Sequence, residues 1–298
     1  MITAVIPTKN RPNDLNKAVY SILTQSRLPD EIIIVDQSIG IESIQKVEST
    51  IKDNGFNKLI YIHDSTIKGL VDAKRIASER ATGDTICFLE DDVILETSFL
   101  EQIEIGFLNN PQMLGCCGII TNPPKHYKGY VFLYNLFRTG IFHDPRVKIF
   151  SDLANYKTPL ILSDVLSGGL SAWRSHIFTS VKFDVVNGLF MSEDIDFSTR
   201  VVSHFGRCLY INTNARVAHY CSPINREILG FRERKKILEQ FIYYKKRNNI
   251  EGSLIRFSWL LFGLFFESIF QSIRSREISP VIGYFKGIFD GVNKNVIK

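Results

Sequence analysis

The first 120 residues alternate short apolar runs with segments whose apolar residues recur every three or four positions. The short runs predict buried strands near residues 3–6, 31–35, 59–62, 85–89 and 114–120. The periodic segments predict helices, and the clearest of these has one apolar face made of Leu15, Ala18, Val19, Ile22 and Leu23. This alternation predicts an α/β fold with a doubly wound, mostly parallel sheet.

The second half of the chain is less regular. Residues 121–160 are rich in Pro, Tyr, His and Lys, and we interpret them as an irregular insertion that forms a lid or a spacer. A regular pattern returns at residues 163–166. Beyond it the sequence predicts a helix from Asp194 and short strands near 209–211 and 216–218. Long helical patterns begin after Arg226. We therefore divide the chain into a sheet domain at 1–225 and a helical C-terminal region at 226–298.

One helical segment of the C-terminal region, residues 254–273, is strongly apolar and aromatic. A membrane span needs about 20 apolar residues. This run is interrupted by Glu267 and Gln271 and preceded by Arg256, which makes it too short to span. We expect it to lie on a membrane surface as an amphipathic helix. Packing against the sheet domain, or in an oligomer interface, is the alternative.

The composition of the chain indicates a globular protein and gives no sign of a nucleic-acid partner. The 298 residues are 45% apolar, enough for a substantial core, and the net charge of +5 is too small to indicate a nucleic-acid partner. The five cysteines form no CxxC pair, which favours a reducing compartment. The N-terminus reads as a strand without a basic leader, so we expect a cytoplasmic protein.

Three consecutive carboxylates, Glu90, Asp91 and Asp92, follow the predicted strand at 85–89. Like charges repel, so this cluster favours a bound cation, and hard oxygen ligands select Mg²⁺ or Mn²⁺. A solvated acidic turn before a helix at Thr97 is the alternative. Parallel strands end at one edge of a sheet, and the segment 7–11 and Asp36 follow two other strands. Their convergence predicts a site for a metal ion and a nucleotide.

These motifs occur together in a known family. The chain resembles the inverting family 2 glycosyltransferases of GT-A fold, particularly bacterial polysaccharide enzymes of the rhamnosyltransferase-like type. The resemblance covers about residues 1–225, and the tail at 284–291 is similar as well. The matching stretches are residues 4–11, 33–36, 81–84, 88–92, 166–169 and 192–197, with His219.

The resemblance implies a nucleotide-sugar donor site. Pro7, Thr8 and Arg11 match the loop that cradles the base. Asp36 matches the acid that accepts the imide N–H of uracil or thymine, which favours a UDP- or dTDP-linked donor. A turn residue that closes a strand is the alternative for Asp36. Lys74 aligns with a family arginine that faces the nucleotide, and it keeps the positive charge.

The resemblance also implies a metal site for Mn²⁺ or Mg²⁺. Glu90-Asp91-Asp92 matches the metal motif, in which Asp92 coordinates the ion and the first acid, here Glu90, contacts the ribose. Asp91 belongs to the same donor-binding motif. His219 aligns with the histidine that completes the metal site. A histidine satisfied within the core is its alternative.

Asp194 aligns with the catalytic base, and Glu193 beside it is expected to orient the acceptor. A base on the acceptor side and a metal on the leaving-group side imply single displacement with inversion. The alternative is that both acids only cap a helix. Gly168 and Gly169 are expected to let the backbone approach the donor sugar. Trp173 and Arg174 are expected to line the acceptor site, with core packing as the alternative for Trp173.

Two other functions stay open at this point. A nucleotidyltransferase would share the sheet and the acids, but the segment 7–11 has no glycine and Asp194 would have no role. A non-catalytic scaffold that binds nucleotide or membrane is the second. We expect a glycosyltransferase that acts at the cytoplasmic face of the membrane on a lipid-linked surface polysaccharide.

Overall fold

The computed structural model describes residues 1–123, 128–187, 189, 191–224, 227–247 and 254–295. The strands in these residues are β1 (Ile2–Thr8), β2 (Glu31–Asp36), β3 (Leu59–His63), β4 (Thr85–Leu89), β5 (Val93–Leu95), β6 (Gly115–Ile120), β7 (Leu160–Ser163), β8 (Leu170–Arg174) and β9 (Leu209–His219). The helices are α1 (Pro12–Leu23), α2 (Glu42–Asp53), α3 (Leu70–Arg80), α4 (Phe99–Asn109), α5 (Lys128–Phe137), α6 (Pro145–Ser151), α7 (Ile177–Ser180), α8 (Glu193–Phe205), α9 (Leu229–Arg247), α10 (Leu254–Ser275) and α11 (Ser279–Asn293).

The chain forms two compact units. Unit 1 contains Met1–Pro123, Pro145–Asp184 and Glu193–Asn225. Unit 2 contains Pro124–Asp144, Val185–Ser192 and Arg226–Lys298, so it takes two segments from the middle of the chain as well as its end. The boundary that the sequence predicts, between residues 225 and 226, lies outside the described residues.

Unit 1 is built on one sheet with the strand order β3-β2-β1-β4-β8-β6-β9-β5, and β7 pairs with β9. The first four strands in that order are parallel, as the alternation of strands and helices predicts. Strand β8 then runs antiparallel to both β4 and β6. This reversal places the start of β8 beside the end of β4, where the acids follow.

The core of unit 1 lies on both faces of the sheet, and β2 shows why. All six of its residues are buried. Ile32 and Ile34 belong to the cluster on one face, and Ile33 and Val35 to the cluster on the other. Because successive strand residues point to opposite faces, an unbroken apolar run suits a strand that is covered on both sides.

The prediction that residues 121–160 are irregular is wrong. This segment contains α5, α6 and two short 3-10 helices, Gly140–Phe142 and Leu153–Asn155. The next strand, β7, ends at Ser163, where the regular sequence pattern of residues 163–166 begins. Prolines and the amphipathic side chains of Tyr, His and Lys obscure the helical period, because they weaken the contrast between apolar and polar positions.

The two short strands predicted near 209–211 and 216–218 are one strand, β9. The polar residues 212–214 interrupt its apolar pattern. Asn212 is nevertheless buried, because its side-chain amide donates to the Gln102 carbonyl at 2.9 Å and its oxygen accepts the Asn214 N–H at 3.0 Å. A buried polar residue with its hydrogen bonds satisfied does not end a strand.

In unit 2, α11 packs closely against α9 through glycines spaced four residues apart. A Cβ atom at Gly283 would lie 2.0 Å from the Gly230 carbonyl oxygen, and one at Gly287 would lie 2.7 Å from the Arg234 carbonyl oxygen. A Cβ at Gly291 would lie 2.3 Å from the Phe241 ring. This close approach of two backbones requires glycine.

Helix α10 is longer than the apolar run seen in the sequence. Its 22 residues have a length and composition that allow a membrane crossing, and 22% of its most apolar window is buried. The expectation that this segment is too short to span therefore fails on length. Length and composition alone do not separate a spanning helix from one that lies on a surface or packs in a core.

Candidate active site

The three acids lie in the short connection from β4 to β5. The Glu90 N–H donates to the Gly169 carbonyl at 2.9 Å, which ties the connection to the start of β8. Asp91 and Asp92 are buried, while the Glu90 side chain is 40% exposed. The carboxyl end of β4 therefore presents one accessible acid and two enclosed ones.

Asp91 is held by two residues that the sequence assigned to nucleotide binding. Its carboxylate accepts from Thr8 Oγ1 at 2.7 Å and from Arg11 Nη1 at 2.8 Å. Arg11 also donates to the Ile224 carbonyl at 3.0 Å. Burial raises the pKa of Asp91, although Arg11 opposes that effect. In this structure Thr8, Arg11 and Asp91 form an internal network, and Pro7 lies buried in β1.

A candidate metal site consists of Glu90, Asp92 and His219. One ligand atom from each of them lies within 4.8 Å of the others. His219 Nε2 is 3.1 Å from Asp92 Oδ1 and 3.2 Å from Glu90 Oε2. The register of the sheet explains this meeting, because Val93 pairs with His219 at the end of β9.

The donor set fits Mn²⁺ or Mg²⁺. Asp92 Oδ2 accepts the Ser222 N–H at 2.8 Å, and its buried Oδ1 lies 3.1 Å from His219 Nε2. A buried carboxylate oxygen that lies beside a second carboxylate and an imidazole is a ready ligand for a divalent cation. The imidazole of His219 adds a nitrogen ligand, which is a softer donor than the two carboxylates and favours a transition ion such as Mn²⁺ over Mg²⁺.

The electrostatics of this cluster follow from its crowding. The hydrogen bond to Asp92 raises the pKa of His219, against the effect of burial, and Glu90 raises it further. Burial alone would raise the pKa of Asp92, but hydrogen bonds from His219 and from the Ser222 N–H lower it below its ordinary value. Desolvation raises the pKa of Glu90. A bound divalent cation would offset the negative charge that is concentrated here.

Two consecutive glycines join the metal cluster to the Glu193–Asp194 pair. A Cβ atom at Gly169 would lie 2.3 Å from the Glu90 carboxyl carbon. A Cβ atom at Gly168 would lie 2.5 Å from Glu193 Oε1 and 3.1 Å from Asp194 Cβ. These glycines therefore let acidic side chains approach the backbone, which differs from the contact with a donor sugar that we expected.

Glu193 and Asp194 occupy the first turn of α8, and each forms an ion pair with a different basic side chain. Lys74 Nζ lies 2.8 Å from Glu193 Oε1 and donates to the Gly168 carbonyl at 2.9 Å. Arg146 Nη1 lies 2.5 Å from Asp194 Oδ2. The side chain of Asp194 is 15% exposed and that of Glu193 is 8% exposed. Lys74, which we expected to face the nucleotide, is enclosed against Glu193.

Asp36 lies at the carboxyl end of β2, as the strand pattern predicts, and is fully buried. Its carboxylate accepts from Tyr61 Oη at 2.7 Å and from the N–H and hydroxyl of Ser38. Burial and the neighbouring Asp36 raise the pKa of Tyr61. These contacts favour the structural alternative that the sequence left open for Asp36.

Trp173 and Arg174 do not join the site. Both lie at the end of β8, where Trp173 pairs with Ile86 and Arg174 with Thr85, which begins β4. That is the edge of the sheet opposite the acids. Trp173 is buried against Phe197, and Arg174 donates to the carbonyls of Met113 and Phe107. They therefore pack the core instead of lining an acceptor site.

Sequence reasoning missed two contacts of the site. Arg146 lies in the segment that was interpreted as irregular, 48 residues before Asp194. The Ser222 N–H, which holds Asp92, is a backbone group beyond the last recognised motif. Neither contact has a local signal in the sequence, because each depends on chain folding that brings distant residues together.

We call the edge of the sheet that carries Glu90, Asp91 and Asp92, with Glu193 and Asp194 nearby, the acidic edge. The fold and the acidic edge together define a glycosyltransferase of the GT-A type. The model of the family described as "Glycosyl transferase family 2" matches residues 3–156, slightly more than half of the chain. The chain belongs to this family. The predicted family, fold and enzyme class are confirmed, and a nucleotidyltransferase is set aside.

Curated relatives share only part of their length with this chain. An uncharacterized glycosyltransferase of Haemophilus influenzae is 30% identical over 108 residues, which cover 36% of this chain and 42% of that protein. Polypeptide N-acetylgalactosaminyltransferase 11 of Xenopus tropicalis is 22% identical over 214 residues, which cover 69% of this chain and 35% of that protein. The chain thus spans less than half of either relative.

A solved structure covers almost the whole chain. It is the mannosyltransferase PcManGT of Pyrobaculum calidifontis, in complex with GDP-Man and Mn²⁺. The likeness has a TM-score of 0.59 at 13% identity and covers 99% of this chain and 76% of that chain. At this identity the comparison establishes the shared fold.

Proposed function

We propose that this protein is a metal-dependent, inverting glycosyltransferase that moves a sugar from a nucleoside diphosphate sugar to a hydroxyl group. One observation carries the proposal: Gly168 and Gly169 bring the Glu90–Asp92–His219 cluster close to the Glu193–Asp194 pair. A cation site and a partly accessible carboxylate therefore lie on neighbouring sides of one short loop. The Mn²⁺ in the solved mannosyltransferase supports the cation.

Asp194 is the proposed base. Its carboxylate takes the proton of the acceptor hydroxyl while that oxygen forms a bond to the anomeric carbon. The bond from this carbon to the diphosphate oxygen breaks, and the electron pair leaves with the nucleoside diphosphate. A bound divalent cation, held by Glu90, Asp92 and His219, would offset the charge of the leaving diphosphate. A single displacement of this kind inverts the anomeric centre.

The expected donor carries uracil or thymine, because the family acid that aligns with Asp36 accepts an imide N–H from the base. Asp36 would exchange one of its hydrogen bonds to Tyr61 or Ser38 for that contact. Guanine is the competing base, since it presents an N–H and an amino group to the same acceptor. The solved mannosyltransferase is in complex with GDP-Man, so GDP is included among the nucleotides that are tested.

The first experiment measures thermal stability with UDP, dTDP, GDP and CDP, each with and without Mn²⁺. A ligand at about 100 times its Kd stabilises the folded protein by roughly 2.7 kcal/mol, which is visible as a shift in melting temperature. We expect a shift that requires Mn²⁺ and that one pyrimidine diphosphate produces. The variant Asp92→Asn should lose the Mn²⁺-dependent shift in melting temperature, because Asp92 is a proposed ligand of the ion. A protein that no nucleotide stabilises would support the scaffold alternative.

We propose that the acceptor is a lipid-linked saccharide and that unit 2 binds the membrane surface at the cytoplasmic face. Large apolar side chains are exposed along α10 and α11. On α10 they are Leu254, Ile255, Trp259, Phe262, Phe266, Phe270 and Ile273, and on α11 they are Ile282, Phe285, Phe289 and Val292. Exposed apolar surface on this scale marks a contact with a partner or a membrane.

Charge favours an anionic membrane over a second copy of the chain. Residues 226–298 contain 14 Lys and Arg against 7 Asp and Glu, a formal charge of +7, whereas residues 1–225 have a formal charge of −2. Positive charge beside an apolar face attracts anionic lipid headgroups. Two identical faces of this charge would repel each other.

Vesicle sedimentation tests this part of the proposal. We expect binding to vesicles that contain phosphatidylglycerol, weaker binding to neutral phosphatidylcholine, and release by high salt. The double variant Phe270→Gln, Phe289→Gln should bind less, while Leu108→Gln, an exposed apolar residue of α4 in unit 1, should bind like the wild type. Formation of a dimer without vesicle binding would overturn the proposal, and binding that resists alkaline extraction would indicate a spanning helix.

A further inference from the structure

The carboxylate of Asp194 is fixed through both of its oxygens. Oδ1 accepts the Ile195 N–H at 2.8 Å, and Oδ2 accepts Arg146 Nη1 at 2.5 Å. The arginine comes from α6, an element remote in sequence from α8. Because the two contacts act on different oxygens, they fix the plane of the carboxylate as well as its position.

Arg146 is itself fixed relative to α8. Its guanidinium also donates to the Leu166 carbonyl at 3.1 Å, and the Leu166 N–H donates to Ser198 Oγ in α8 at 3.1 Å. The chain Arg146–Leu166–Ser198 thus returns to the helix that carries Asp194. Leu166 also precedes Ser167-Gly168-Gly169, the loop next to Glu90 and Glu193.

Glu193 and Asp194 form ion pairs with two different basic side chains. Lys74 neutralises Glu193, and both of these side chains are buried. Arg146 and Asp194 are more exposed, at 13% and 15%. A buried ion pair contributes little net stability compared with apolar residues of the same size, so stability alone gives weak reason for an arginine here. The hydrogen bonds that Arg146 donates to Asp194 and to the Leu166 carbonyl are better explained by orientation of the more exposed of the two carboxylates.

We propose that Arg146 is a positioning residue of the transfer reaction, which holds the Asp194 carboxylate in a fixed orientation for the acceptor hydroxyl. The inference rests on the proposed function of Asp194 as the base. A misplacement of a reacting group by about 1 Å can lower a rate by about 100-fold. Arg146 should therefore affect the rate of the chemical step much more than the affinity for the donor.

The test uses the full chain and the variants Arg146→Met, Arg146→Lys and Arg146→Ala. The rate of nucleoside diphosphate release is measured with water as acceptor. The donors are the glucose, galactose, N-acetylglucosamine and rhamnose conjugates of the nucleotide that gives the largest Mn²⁺-dependent melting shift. We expect a kcat about 100-fold lower for Arg146→Met with KM for the donor unchanged. Arg146→Lys should retain most of the rate, and added guanidinium should partly restore Arg146→Ala.

The matched control is Arg200→Met, which removes another arginine–aspartate pair of α8, the contact of Arg200 with Asp196 at 2.8 Å. This control should release the nucleotide at the wild-type rate. A second test combines Arg146→Met with Asp194→Asn. If Arg146 acts through Asp194, the double variant should be no slower than Asp194→Asn alone.

The outcomes distinguish a failure of the role of Arg146 from a failure of the proposed transferase function. A wild-type rate for Arg146→Met, or a loss that is matched by lost nucleotide binding, would overturn the role of Arg146. Additive losses in the double variant would also overturn it. If Asp194→Asn itself kept the wild-type rate, or if the wild type released no nucleotide from any donor, the proposed function would fail first. If Arg146→Met does not fold, Arg146→Lys with its retained rate and guanidinium rescue of Arg146→Ala decide the question.

Discussion

The acidic edge of unit 1 and the apolar face of unit 2 invert the usual distribution of side chains. At the edge, charged groups such as Asp91, Asp92 and Lys74 are buried. On α10 and α11, large apolar groups such as Phe270 and Phe289 are exposed. Each arrangement is costly by itself, since buried charge needs a counter-charge and exposed apolar surface needs a covering partner. Arg11 and Glu193 supply the counter-charges of Asp91 and Lys74, whereas the apolar side chains of α10 and α11 stay exposed.

The two regions differ in how they are held. The edge depends on hydrogen bonds and ion pairs between residues that are far apart in sequence, such as Thr8 with Asp91 and Arg146 with Asp194. The helices of unit 2 depend on close backbone packing, in which α11 lies against α9 through glycines. Chemistry should therefore be sensitive to polar substitutions at the edge, and stability should be sensitive to volume in the helices.

The largest expected effect is on chemistry alone. Asp194→Asn keeps the size of the side chain but removes the base. General base catalysis contributes about 10²–10⁴-fold to a rate, so nucleotide release should fall by about that factor while the Mn²⁺-dependent melting shift with nucleotide survives. Steady-state kinetics and thermal melting of the same preparation measure both. A rate within a few-fold of the wild type would remove Asp194 from the mechanism.

The next effect is on the metal. In Gly169→Ala the new Cβ would lie 2.3 Å from the Glu90 carboxyl carbon, so the flexible Glu90 side chain should move out of the cluster. We expect a loss of Mn²⁺ affinity of about 10–100-fold, as for other groups that support a metal site. Titration calorimetry with Mn²⁺ measures it. Unchanged affinity would show that Glu90 is not a ligand, and a large drop in melting temperature would show a general packing defect.

In unit 2 a comparable change should act on stability and leave the metal unaffected. In Gly287→Ala the new Cβ would lie 2.7 Å from both the Arg234 carbonyl oxygen and Ile237 Cβ. Overpacking of this kind costs about 1–3 kcal/mol, which outweighs the helix propensity of alanine. Denaturant unfolding should show the loss.

The control for that variant is Gly129→Ala in α5. A Cβ atom at Gly129 would meet no atom of the described residues within 4 Å, so the substitution should be neutral or slightly stabilising. Equal destabilisation by both variants, or none by Gly287→Ala, would contradict the close packing of α11 on α9.

The smallest effect is a dependence of stability on pH in the same helix pair. The hydrogen bond from Arg234 lowers the pKa of Asp290 below its ordinary value. Because the folded carboxyl has the lower pKa, its contribution is present above the unfolded pKa of about 3.9 and is lost as the pH falls through the folded pKa. Asp290→Asn should melt slightly below the wild type at about pH 6, and the difference should shrink as the pH falls below about 3.9.

That prediction fails if the difference between the two proteins persists at low pH. A difference that persists would mean that the carboxamide disturbs packing and that charge pairing with Arg234 plays no part. A difference that grows as the pH falls would reverse the sign of the coupling.

The sequence predicts the parallel strands at the start of the sheet because β2 and its neighbours are unbroken apolar runs. It also predicts that acids follow β4. It does not predict α5 and α6, since their composition hides the helical period. It also does not predict the end of β8 at the edge opposite the acids, because strand direction is set by a pairing that no local pattern encodes. The strand direction places Trp173 and Arg174 away from the acids, although the side-chain type of Trp173 suits contact with a sugar ring.

The sequence by itself determined the class of protein, since strand–helix alternation and six ordered motifs identify a family 2 glycosyltransferase, and the family match confirms it. It also determined which residue types are available for a metal and a base. Only the tertiary structure decided how they are used. Arg11 forms an ion pair with Asp91, Lys74 with Glu193 and Arg146 with Asp194. These pairs depend on long-range packing, because it decides which charged side chains are enclosed together. A residue's chemistry is local, but its partner depends on the fold.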